Sequence, residues 1–136
     1  MAGGIRLAYQ VSGAPGAAPM LLLHALGEQA HTWASVTARS AERYHVFALD
    51  LRGHGHSEWP GTYSFQLMRD DVIGVIERLG LREVTLVGHS MGGGVAYLVT
   101  TARPGLVNRL IIEDVPPPFP PDRAIPERPA GPLGFD

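Results

Sequence analysis

Val84-Thr-Leu-Val-Gly88-His89-Ser90-Met91-Gly92-Gly93-Gly94 is the stretch that decides the fold. Its first residues, Val84–Gly88, are a short β-rich apolar run. After Ser90 the pattern turns helical, through Val95, Ala96, Leu98 and Val99, until Pro104 stops it. Between strand and helix stands Gly-x-Ser-x-Gly. A turn that tight needs Gly88 and Gly92 to avoid side-chain clashes, and it holds the serine in a strained conformation with its hydroxyl exposed. The helix N-terminus behind it offers free N–H groups and positive potential to a developing oxyanion. Ser90 is therefore the candidate nucleophile, with the Met91 N–H a candidate oxyanion donor. The alternative is a glycine-rich turn that packs a helix closely on a sheet. A phosphate cradle fits less well, because neither Gly-x-Gly-x-x-Gly nor a Walker pattern is present.

Outward from this stretch, other apolar runs read as strands: Ile5–Val11, Met20–His24, His45–Leu49 and Arg109–Glu113. Near-continuous hydrophobicity, as in Met20-Leu-Leu-Leu23 and Leu110-Ile-Ile112, suits strands covered on both faces. Phe65, Met68, Val72, Val75, Ile76 and Leu79 recur at helical spacing, closed by Gly80. A further helix is expected over Thr32–Arg43. Alternation of strand and helix at this spacing predicts an α/β fold with a mostly parallel sheet and helices on both faces. Eight of the 12 prolines lie between Pro116 and Pro132, which predicts a linker there.

The composition narrows the chemistry. The 136 residues contain no Cys, and all 11 basic residues are Arg. Thiolate nucleophiles, Cys-ligated zinc, disulfides, Schiff bases and a P-loop lysine are thereby excluded, so a nucleophile must be an oxygen or an imidazole. A net charge of −2 and the lack of a basic run argue against nucleic acid or an anionic membrane as partner, and favour a small-molecule substrate. No apolar run approaches the ~18 residues of a membrane span, and residues 1–13 carry no signal-peptide pattern, so a cytoplasmic location is expected.

Two further motifs join the serine. At the end of the Met20 run stands His24-Ala25-Leu26-Gly27, where a backbone N–H, with Leu26 the candidate, would complete an oxyanion hole. Asp50-Leu-Arg-Gly-His-Gly-His-Ser57 follows another strand. With Trp33 downstream of the first and Gly88-His-Ser-Met-Gly-Gly third in order, the chain resembles the α/β-hydrolase superfamily over roughly residues 4–118. One departure is Ala25, where the family usually has glycine.

The resemblance implies a serine hydrolase acting on an ester, lactone or related acyl compound through an acyl-enzyme, with no cofactor. It implies that residues 1–118 form the N-terminal part of the core, cut off after the sixth of eight strands, and that 119–136 lead to a lid. It also makes the Asp50–Ser57 segment a structural turn, fixed by Asp50 and Arg52. A metal pair at His54 and His56 is the weaker reading, and no metal site is expected. His89 reads as a packing and positioning residue. Trp33 and Trp59 could each line a pocket or pack in the core.

The family's order is Ser, acid, His, yet all six histidines precede Ser90, so the catalytic base is missing from this chain. Asp114 stands where some members carry the acid, with a structural role as the alternative, and Glu113 should point the other way by alternation. The missing base also leaves open a non-catalytic α/β-hydrolase-fold module that binds a small molecule or partner. An apolar edge strand at Arg109–Glu113 predicts self-association.

Overall fold

A computed structural model describes residues 4–113. The described strands form a five-stranded sheet in the order β1-β3-β2-β4-β5, with β1 Tyr9–Ser12, β2 Ala18–Leu23, β3 Tyr44–Leu49, β4 Val84–His89 and β5 Val107–Glu113. β1 runs antiparallel to β3, and the remaining pairs are parallel. Helices α1 (Ala34–Ser40), α2 (Phe65–Arg78) and α3 (Met91–Ala102) make the crossovers. The α/β architecture expected from the alternation is therefore the one observed.

Period-two alternation explains why the central strands look apolar throughout. Leu21, Leu23, Phe47, Leu49, Val84 and Leu86 face one side, against Met68, Val72 and Ile76 of α2 and Val95, Leu98 and Val99 of α3. Met20, Leu22, Val46, Ala48 and Val87 face the other, against Ala30 and Trp33. Trp33 is thus a core residue.

Two elements depart most from their expected bounds. Ile5 to Ala8 lie outside β1 because their backbone pairs with a loop: Glu58 N–H donates to the Arg6 carbonyl (2.9 Å) and Ala8 N–H to Ser57 Oγ (2.8 Å). The helix expected over 32–43 divides into a 3-10 turn, Ala30–Trp33, and α1. α2 begins where expected, and Ser64 Oγ caps it by accepting the Leu67 N–H at 3.0 Å. Among the described residues, no helix is long and apolar enough to cross a membrane.

Candidate functional site

Ser90 sits between the end of β4 and the start of α3 with φ 52° and ψ −111°, a left-handed conformation that side chains rarely adopt. Two backbone bonds hold it there: Ser90 N–H donates to the Glu113 carbonyl (2.8 Å), and the Ser90 carbonyl accepts from Gly94 N–H (3.0 Å). The neighbouring glycines have no room for a side chain. A Cβ on Gly88 would overlap the Gly92 carbonyl, and one on Gly92 would overlap the carbonyls of Leu23 and His24. The first turn of α3 therefore lies directly on the end of β2, where the His24–Gly27 loop begins. Among the described residues, the backbone N–H groups of Leu26 and Met91 have no hydrogen-bond partner, and no side chain caps α3. Ser90, Met91 and the Leu26 loop are together at the carboxyl edge of the sheet, where open α/β sheets place ligands.

Two buried histidines fix that loop. The His24 Nδ1–H donates to the Ala25 carbonyl (2.8 Å), and its Nε2 accepts the Leu51 N–H (3.0 Å). His54 repeats the arrangement, with Nδ1–H on the Arg52 carbonyl (2.9 Å) and Nε2 accepting the Gly27 N–H (3.1 Å). Carbonyls only accept and amides only donate, so both rings are neutral in the Nδ1–H form. Their centroids lie 4.7 Å apart. Burial, with a smaller push from His54, lowers the His24 pKa to about 4 despite the opposing bond to Ala25. With both its ring nitrogens on backbone groups, His54 is a strut between two loops, as the structural reading of that turn requires.

The rest of the 50–57 turn is held as firmly. Asp50 is buried and accepts the Ala30 N–H on Oδ1 (2.7 Å) and the His56 N–H on Oδ2 (3.0 Å). Gly55, at φ 52°, lies so close to that carboxylate that any Cβ would overlap it. Arg52 is buried against Asp71 of α2 in a two-pronged pair, Nε to Oδ2 at 2.6 Å and Nη2 to Oδ1 at 2.8 Å. Its Nη1 reaches the Thr62 carbonyl (2.9 Å). Burial pushes the Asp71 carboxyl above its ordinary range, and the Arg52 guanidinium opposes the push.

Asp71 and Glu28 belong to this framework without having been singled out in the sequence. Asp71 had a signal: it lies three residues after Met68 and next to Val72, on the apolar stripe of α2, where an acid needs a buried cation. Glu28 had none. Its Oε1 lies 3.7 Å from His89 Nδ1, while Glu113 Oε1 lies 3.7 Å from His89 Nε2. Asp114 lies outside the described residues. Trp59 is on the surface, lining a cavity of about 340 Å³ with Gly27, Glu28, Gln29, Thr32, His54 and Gly55. A larger cavity, about 550 Å³, lies near Leu81, Arg82 and Leu106, before the first residues of β4 and β5 and so away from Ser90.

Comparison with known proteins agrees with this geometry. The alpha/beta hydrolase fold family matches residues 18–135. An esterase of Mycobacterium tuberculosis is 39% identical over 105 residues, 75% of this chain and 35% of that protein. A soluble epoxide hydrolase of a Corynebacterium species is 36% identical over 118 residues, 86% of this chain and 41% of that protein. Among solved structures, a marine microorganism esterase superposes with a TM-score of 0.81 at 31% identity, covering 84% of this chain and 43% of that one. The chain thus spans about a third to two-fifths of the length of the relatives it matches. With the family matched over most of its length, the chain belongs to the α/β-hydrolase fold family.

Proposed function

We propose that this chain carries the nucleophile and oxyanion hole of a serine hydrolase that cleaves an ester, lactone or related acyl compound. The observation that carries this reading is the left-handed Ser90 at a strand-to-helix turn, beside N–H groups at Met91 and Leu26 that have no partner among the described residues. Ser90 Oγ attacks the carbonyl carbon, and its proton passes to a base. The carbonyl oxygen becomes an oxyanion that accepts from the two N–H groups. Collapse expels the alcohol, and water then cleaves the acyl-serine ester.

In the order serine, acid, histidine that the resemblance implies, the base would follow Ser90, where these 136 residues hold no histidine, and the rings of His24 and His54 are committed to backbone groups. Asp114 is the candidate to orient it. Relatives named as epoxide hydrolases raise a second chemistry, which the nucleophile disfavours. A serine that opened an epoxide would be left as an ether, with no carbonyl for water to attack, whereas an acyl-serine can be hydrolysed. The same argument disfavours haloalkane dehalogenation, for which the resembling branch has Asp in place of Ser90.

The test is fluorophosphonate labelling of the full protein encoded by the gene. Labelling should be lost in Ser90→Ala; labelling that survives there refutes the assignment. An unlabelled wild-type protein favours the non-catalytic binding module.

A further inference from the structure

The ends of three strands converge on one imidazole. His89, the last residue of β4, has Nδ1 3.7 Å from Glu28 Oε1 and Nε2 3.7 Å from Glu113 Oε1. Glu28 lies in the loop after β2, and Glu113 ends β5. The same Glu28 oxygen accepts the Ala25 N–H at 3.4 Å, and the Glu28 N–H donates to the Ala25 carbonyl at 3.0 Å. Ala25 is the residue before Leu26. The carboxylate is therefore bonded on one side to the loop that presents the Leu26 N–H, and on the other lies within ion-pair reach of the side chain preceding Ser90.

We propose that Glu28 is a positioning residue for the oxyanion loop, drawn into place by His89 when that ring is charged, with Glu113 holding the ring's other nitrogen. This rests on the reading of Ser90 as nucleophile and Leu26 as oxyanion donor. A charged imidazole presents an N–H toward both carboxylates, while a neutral one can donate to only one of them. Among the described residues, Glu28 faces His89 from the β2 side and Glu113 from β5, and α3 contains no charged residue. His89 is 28% exposed and Glu28 38%, so the attraction is screened and acts as a modest bias on the loop. Its effect falls on the turnover step through the placement of the oxyanion donor.

The experiment follows p-nitrophenyl ester hydrolysis by the full protein, separating kcat from KM between about pH 5 and 8, the range over which a histidine changes charge. Glu28→Gln keeps an acceptor for the Ala25 N–H and removes the charge. Near pH 6 it should lower kcat about two- to fivefold with KM unchanged, the scale of an exposed ion pair. The deficit should close toward the alkaline end of that range, and the Glu28→Gln/His89→Gln double variant should be no slower than either single one. A wild-type to variant ratio that stays constant with pH, additive losses, or a change confined to KM would each overturn the proposal. Should Glu28→Gln melt well below wild type, His89→Gln, which leaves the Ala25 contact in place, carries the same expectation. Ser90→Ala in the same series separates the two readings: activity that persists there removes the nucleophile assignment and this proposal with it. Activity lost there alongside a pH-independent ratio overturns the positioning role alone.

Discussion

Gly92 shows how little freedom the serine turn has. A methyl group there would overlap the Leu23 and His24 carbonyls, and both are fixed backbone. Gly92→Ala should destabilise the protein by about 3 kcal/mol, the upper end of overpacking penalties, read as a fall in the urea midpoint at unchanged slope. It should also slow fluorophosphonate labelling, since relief of the overlap must move α3 off the oxyanion loop. Such residues were legible because sterics demand them: glycine at 88 and 92, on either side of a serine between strand and helix. Glu28 was not legible, because nothing in local spacing places a loop carboxylate beside His89, and only the folded sheet brings β2 and β4 together. His24 lies between these cases. Its place after a strand marked the loop, whereas its role as a neutral strut required the distant Leu51 amide.

Elements were recovered where apolar periodicity was strong, as in α2 and β4, and blurred where loops competed for the backbone. Residues 5–8 read as strand, yet Ser57 and Glu58 take their hydrogen bonds. The link between α2 and the 50–57 turn is the Arg52–Asp71 pair, almost wholly removed from water. Removing one partner strands the other's charge, so Asp71→Ala should cost about 3–5 kcal/mol in denaturant unfolding. Replacing both, as in Arg52→Met/Asp71→Leu, should recover most of that loss, because no unpaired charge then remains buried. An intact pair worth only its Coulomb attraction would give the opposite ranking.

Among the described residues, the sheet is covered on its faces, and β1 and β5 are its outer strands. Tyr9 and Val11 are exposed on β1, and Ile111 is 49% exposed on β5. The 136-residue chain expressed alone should therefore self-associate, and Ile111→Lys should shift its light scattering toward monomer, since charge on an edge strand opposes pairing. Stability should also fall in acid. Above pH 6.5, His24 is neutral folded or unfolded; as pH drops toward about 4, the unfolded chain takes up a proton that the buried ring refuses. About 3 kcal/mol should be lost across that window, and His24→Asn should remove this part of the slope in urea melts run at a series of pH values. The bond from Ser90 N–H to the Glu113 carbonyl ties these scales together. Each fraying of β5 exposes the Ser90 amide to solvent, so its hydrogen-exchange rate should follow the opening of that strand, and the serine's amide becomes a gauge of whether β5 is docked.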